Sequence, residues 1–394
     1  MPWMGKAQQI RRQNMKVNVV VGKLFAMLRV DGMRCCVLKG QGNALMYPNP
    51  YSRTPGDIDV WIDASRERIM EYAQKKFELG DDIRLQHLET SLDGVPVELH
   101  FFPCSMNNPI YHARLQKWFK RNADLQCSHI VGLPDGAGDI AIPTMAFNVI
   151  YQLCHLYHHF FDEGIGMRQI IDYFLVVNDF SKNVFLDYDF SNHPVPLSKE
   201  GSTFSPSPSQ WSLHPLRFPR FRGTETSGSG DVTAPSRCSE PLRSKDGGAS
   251  KPSPDCAGWD RRGVSGDTSS AFTTDSSAST ALVVVQRELK YLGLWKFAGA
   301  VMYVLKEVLG LAEDKMIVPV DEKRGRLLLA EILDGGNFGR HFTKYAGFTH
   351  QSMGKKYFLK IWRNMHFVRY YPAEALSEPI FRTWHFFWRV KNKK

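Results

Sequence analysis

Two aspartates one residue apart, in Gly56-Asp57-Ile58-Asp59-Val60-Trp61, constrain this chain more than any other feature. Side chains alternate faces along a β-strand, so Asp57 and Asp59 point one way while Ile58 and Val60 point the other, toward a core. Carboxylates held side by side repel unless a cation lies between them. The stretch therefore reads as a strand end offering a metal-binding edge, although short Asp-x-Asp strings also occur in loops.

The flanking sequence supports that reading. Cys35-Cys36-Val37-Leu38 reads as a short strand that runs into Lys39-Gly40-Gln41-Gly42 and then a helical piece from Asn43 to Met46. A strand, a glycine turn and a helix start bring backbone N–H groups to a phosphate. Gly40 and Gly42 permit close approach of an anion, and Lys39 adds a point charge. The loop 47–55 carries Arg53 to just ahead of the aspartates, where the plain alternative is a solvated arginine. Further on, Ile83 to Ser91 and Val95 to Phe102 read as two strands joined by the hairpin signal Asp93-Gly94. Val95, Val97, Leu99 and Phe101 share one face of the second strand, and Glu98 and His100 share the other. A glutamate in a largely buried strand calls for a partner. A metal shared with Asp57 and Asp59 is one solution; an edge strand facing water is the other.

Gly40-Gln41-Gly42, Gly56-Asp57-Ile58-Asp59 and Val97-Glu98-Leu99-His100 together resemble the nucleotidyltransferase superfamily, with the fold of DNA polymerase β. With Leu38-Lys39, Tyr47-Pro48 and Arg53 added, the chain looks like a bacterial family of uncharacterised nucleotidyltransferases, over roughly residues 8–185 and again over about 285–390. The superfamily loop usually reads Gly-Ser or Gly-Gly, whereas here Gln41-Gly42 follows Lys39-Gly40, which leaves open which groups hold the triphosphate. The resemblance implies a metal-dependent transfer of a nucleoside monophosphate from a nucleoside triphosphate to an acceptor hydroxyl. It implies two Mg²⁺ ions, held by Asp57, Asp59 and Glu98 and roughly 3.5–4 Å apart. Lys39, Gly40, Gly42 and Arg53 would neutralise the phosphates. The acceptor class stays open among small molecules, glycan precursors and proteins.

The order of elements, helix, strand, helix, strand, helix, hairpin, predicts a mixed α/β (α+β) catalytic domain over 1–140. Residues 8–30 form its first helix, with Val17, Val21, Leu24, Phe25 and Leu28 at amphipathic spacing. Another helix starts near Asp63 and ends at Gly80. A helical part follows over 141–190, read as two helices. The first carries His155 and His159 at i, i+4, a spacing that suits a metal but lacks a third ligand and more often marks packed histidines. The second carries Arg168 and Asp172, again i, i+4. The plain reading of that pair is a surface ion pair worth a few tenths of a kcal/mol. The resemblance instead implies a helix closing over the nucleotide or acceptor.

Residues 191–283 are dominated by Ser, Pro, Gly, Thr, Asp and Arg and cannot bury enough apolar surface to offset their ordering entropy, so a disordered insert is expected there. Helical periodicity returns over 284–394, in a mainly helical C-terminal part. Residues 340–394 hold 12 Lys and Arg against 2 Asp and Glu, which accounts for the whole net charge of +10. Phe358, Ile361, Trp362, Met365 and Val368 lie on one side of a helix there, with Lys356, Lys360 and Arg363 on the other. A final aromatic helix is expected from Pro379.

Seven cysteines with no Cys-x-x-Cys fit a reducing, cytoplasmic setting. No apolar run approaches the roughly 20 residues of a membrane span. Two other classes of function stay open: an inactive relative serving as a binding module, and a binder of nucleic acid or a membrane surface through the basic C-terminal tail, nucleic acid being the less favoured partner.

Overall fold

Cys35–Leu38 (β1), Ile58–Ile62 (β2), His87–Leu92 (β3) and Val95–His100 (β4) form one sheet in the order β1-β2-β4-β3. β1 runs antiparallel to β2, β2 parallel to β4, and β4 antiparallel to β3. The structure, a computed structural model, describes residues 2–79, 84–183, 274–335 and 353–392. Residues 1–192 and 268–394 cluster as one unit; a second, 193–267, lies outside the described residues.

Period-2 alternation sorts the sheet into two faces. Val37, Ile58, Val60, Val97 and Leu99 pack on Pro2–Val30 (α1) and Arg66–Lys76 (α3), through Val21, Leu24, Leu28 and Ile69. Cys36, Leu38 and Trp61 belong to the other core, built with Pro109–Ser128 (α4) and Met145–Asp162 (α5). The Asp93-Gly94 turn joins β3 to β4 with both residues at positive φ (50° and 71°), as a tight two-residue hairpin requires. Between β1 and β2 lies the short helix Gly40–Ala44 (α2), tied down by a buried amide network: Asn43 exchanges hydrogen bonds with Gln152 (3.0 and 2.8 Å), which also donates to Asn148 (2.9 Å).

Ile130–Gly132 (β5) and Asp139–Ala141 (β6) add a small antiparallel ribbon. The helical part continues with Met167–Asn183 (α6), Thr274–Tyr291 (α7), Trp295–Leu309 (α8), Glu322–Gly335 (α9), Met353–Met365 (α10) and Pro372–Asn392 (α11). Phe160, Phe161, Phe297, Phe367 and Tyr371 meet in its core.

The mixed α and β architecture with a helical C-terminal part is the one expected, with three corrections of bounds and one orientation that spacing left open. Most of the insert read over 191–283 lies outside the described residues, but α7 begins at Thr274, so residues 274–283 are helical. The second helix of the N-terminal half starts after Ser65, whose side chain accepts from Arg68 N as an N-cap, and it stops at Lys76 rather than Gly80. The last helix begins at Pro372, in the first-turn position where a missing N–H costs nothing, and Pro379 lies inside it. On α10 the polar side faces inward: Arg363 and Asn364 are buried and donate to the carbonyls of Phe160 and Phe161, whereas Phe358, Trp362 and Met365 are exposed. The last carbonyls of α5 lack partners within their own helix, and this is where they find them.

Candidate active site

The parallel pairing of β2 with β4 sets Asp59 directly beside Glu98. Asp57 sits one residue ahead of β2. The oxygens of Asp57, Asp59 and Glu98 lie within 4.8 Å of one another, with Asp57 exposed, Glu98 half-buried and Asp59 buried. All three line one cleft of about 1250 Å³, open between the sheet, α5, α6 and the C-terminal helices.

Protein cations already offset part of this charge. Lys39 Nζ stands 3.1 Å from Asp59 Oδ1, and His100 Nε2 lies 3.0 Å from the same oxygen and 3.2 Å from Glu98 Oε2. Burial opposes a charge on His100, but hydrogen bonds to the two carboxylates raise it to about 9, so it carries a proton at neutral pH and donates to both. Burial likewise pushes Asp59 up, and Lys39 and His100 override it and hold its carboxyl well below the usual range. Glu98 is held down too, its burial outweighed by the His100 hydrogen bond. Asp57 goes the other way: desolvation in the cleft, then the negative Asp59 and Glu98, raise it. Three carboxylates against two cations leave one net negative charge, at the residue most open to the cleft. Three convergent hard oxygen donors with that excess charge fit a divalent cation such as Mg²⁺.

Lys39 pays for its position in backbone strain, since its φ of 50° and ψ of −130° belong to a region that glycine occupies readily and other residues avoid. Gly40 lines the cleft beside it. Gly42 does not: a Cβ there would meet Ile142 Cγ2 at 3.0 Å, so this glycine permits α2 to pack rather than an anion to approach.

Arg53 and Asp172 depart further from expectation. Arg53 is 6% exposed and donates from Nε (3.0 Å) and Nη2 (2.8 Å) to the two oxygens of Asp172, which also accepts from Tyr47 Oη at 2.7 Å. The ion pair read within α6 between Arg168 and Asp172 is replaced by this one. Arg168 instead reaches over the loop before β2, its Nη1 donating to Thr54 O at 3.4 Å, and lines the cleft beside Gly56. Its Nε is buried with no hydrogen-bond partner among the described residues. Arg168, Arg53 and Asp172 all line the cleft, Arg168 as a cation without a carboxylate partner in these hydrogen bonds and Arg53 and Asp172 bonded to each other beside the loop that carries Asp57.

His155 and His159 pair with each other, Nε2 to Nε2, at 2.9 Å. Burial pushes both well below the usual histidine range, His159 to about 3, and Lys39 stands 3.2 Å from His155. A neighbouring ammonium disfavours a further cation, and the two belong to none of the metal-binding groupings among the described residues.

Several cleft residues escaped the sequence reading. His87 lies across β3 and β4 from His100, and its Nδ1 approaches Glu98 at 3.5 Å. Burial lowers it to about 4, so it is neutral. On the far wall Asp162 binds Lys360 (2.9 Å) and Arg382 (3.0 Å), which hold it ionised against its burial. Its partners lie more than 190 residues away, which no local pattern reveals; His87 was visible only as a histidine in a predicted strand.

The uncharacterised nucleotidyltransferase family matches residues 1–191 of the chain. The stretch 285–390, over which the resemblance was expected to resume, lies outside that match. No curated protein matches. Among solved structures, an antigenic nucleotidyltransferase-like protein from Paracoccidioides brasiliensis is similar at 16% identity and a TM-score of 0.28, over 41% of this chain and 75% of that one. Among the described residues no helix is long and apolar enough to cross a membrane.

Proposed function

With residues 1–191 matching the uncharacterised nucleotidyltransferases, we propose that this chain transfers a nucleoside monophosphate from a nucleoside triphosphate to an acceptor hydroxyl in the cleft beside β2 and β4. The observation that carries this reading is the convergence of Asp57, Asp59 and Glu98 within 4.8 Å on adjoining strands. Mg²⁺ held by these three carboxylates would neutralise phosphate charge and acidify the acceptor hydroxyl. Lys39 and Arg168, which line the cleft with Gly56 and Asp57, supply the cationic contacts to the triphosphate. The acceptor oxygen bonds to the α-phosphorus, the bond from that phosphorus to the bridging oxygen breaks, and pyrophosphate leaves. Asp57, the most exposed of the three carboxylates, takes the acceptor's proton. Arg53 and Asp172 hold the loop that positions it.

The test is incubation of purified protein with Mg²⁺ and each labelled nucleoside triphosphate in cell extract, beside an Asp57→Asn control. A labelled acceptor that requires Asp57 supports transfer. Metal-dependent nucleotide binding with no labelled acceptor from any of the triphosphates would instead make the chain an inactive binding module.

A further inference from the structure

Helix α11 has two faces of opposite character. Glu374 and Glu378 on one face are buried, and Phe381, His385 and Arg389 on the same side line the cleft. On the other face Leu376, Ile380, Trp384, Phe387 and Val390 recur every three or four residues and are between 50% and 73% exposed. A surface helix ordinarily turns its apolar stripe to the core. Here the polar stripe is held inward by specific bonds: Glu374 accepts from the backbone of Asn107 and Asn108, and Arg382 binds both Glu378 and Asp162. The apolar stripe is left outward, in a run longer than isolated exposed residues produce.

The charge of the C-terminal sequence is one-sided. Residues 340–394 carry 12 Lys and Arg and 2 Asp and Glu, and those two acids are Glu374 and Glu378. Both are buried, so neither contributes negative charge to the surface. Exposed Lys391 closes the apolar stripe, and the sequence ends Lys393-Lys394.

We infer that this face of α11 seats on an anionic lipid bilayer, its aromatic and aliphatic side chains entering the headgroup region while the flanking cations meet lipid phosphates. Trp and Phe on a helix with a basic C-terminal end suit that boundary. A second copy of the chain would set two like-charged, basic C-terminal sequences against each other. Leu, Ile and Val add little on a single-stranded nucleic acid, whose binders rely on cations and stacking rings. The binding is peripheral, and because the opposite face of the same helix lines the cleft, docking places the cleft rim at the headgroups.

The experiment is co-sedimentation of the full chain with vesicles of phosphatidylcholine alone and of phosphatidylcholine with about one-third phosphatidylglycerol, a fraction high enough to set up an attractive surface potential. Binding should occur on the anionic vesicles and weaken with salt. The triple variant Ile380→Ser, Trp384→Ser, Phe387→Ser should bind at least about tenfold less, with its thermal unfolding unchanged because these side chains are exposed. Lys391→Glu, which leaves the apolar stripe intact, should weaken binding to anionic vesicles alone. Equal binding to both vesicle types, or wild-type binding by the triple variant, overturns the inference. So does self-association, or binding to a single-stranded oligonucleotide, that the triple variant abolishes while vesicle binding is absent.

Discussion

Arg53 and Asp172, 119 residues apart, form a two-point ion pair in which both partners are buried. Removing Arg53 leaves Asp172 charged and desolvated, with only the Tyr47 hydroxyl to bond it. Arg53→Ala should therefore cost about 3–5 kcal/mol in urea unfolding. Arg53→Lys should recover only part of this, since an ammonium cannot reproduce the fork. The apolar double variant Arg53→Met, Asp172→Leu should lose less than the two single losses added together. Losses near zero for Arg53→Ala would mean the pair is not closed in solution.

The two aspartates of the site should separate under mutation. Asp57 is exposed, so Asp57→Asn should leave thermal stability within about 0.5 kcal/mol of wild type while lowering kcat/KM by about 10²–10³. Asp59 is buried against Lys39 and His100, so Asp59→Asn should lose activity and also about 1–3 kcal/mol of stability, because Lys39 loses its anion and His100 keeps only Glu98. The check is a thermal melt of both variants beside initial rates; equal melting temperatures would refute the burial argument.

Lys39 offers a paired test of strain. Lys39→Gly and Lys39→Ala both remove the cation and should lose activity alike. Only glycine relaxes at a φ of 50°, so the glycine variant should unfold at higher urea than the alanine variant, by about 1–2 kcal/mol. Equal stabilities would show that the chain relaxes this conformation.

Gly42→Ala should cost about 1–3 kcal/mol through overpacking against Ile142, with the KM for the nucleoside triphosphate unchanged. A raised KM at unchanged stability would restore Gly42 to the phosphate loop.

Glu374 sets a pH dependence. Burial raises its carboxyl to about 7, against the pull of the Asn107 and Asn108 N–H groups. The unfolded chain titrates this group near 4.5. Between those values the folded protein holds a proton that the unfolded chain has released, so rising pH favours unfolding. Stability should fall by up to about 3 kcal/mol from pH 4.5 to pH 7 on this account, then level off. Glu374→Gln should lack that slope, as read from chemical denaturation at each pH; an unchanged slope would assign it to other groups.

What could be read in advance follows from the range of each rule. Alternation with period 2 placed Asp57 with Asp59, and Glu98 with His100, and the Asp93-Gly94 turn was legible because a tight turn has its own chemistry. The pairing of β2 with β4, which joins the two halves of the site, depends on strand order, and strand order is set by packing between distant segments. The same limit explains Asp172. Helical spacing offers Arg168 as its partner, but a bidentate arginine from a loop 119 residues away wins because it arrives desolvated and in better geometry. Amphipathic spacing showed that the helix bearing Phe358 to Val368 has two faces. It could not show which face turns inward, since that depends on the α5 carbonyls and Asp162 waiting to receive cations.

The bond from Arg363 to the Phe160 carbonyl spans 203 positions of sequence. Closing a chain loop costs entropy, but the cost rises only with the logarithm of its length, about 0.6 kcal/mol for each doubling. Shortening the connection between α6 and α7 to about a dozen residues would therefore gain the folded state only about 2 kcal/mol, even if that connection were a free tether. The cleft can thus be assembled from two distant stretches of chain while the segment between them changes length at little thermodynamic penalty. The greater consequence is kinetic. The far wall forms only after a long search, so the carboxylate wall, whose strands lie close together in sequence, should be in place before the cations that face it.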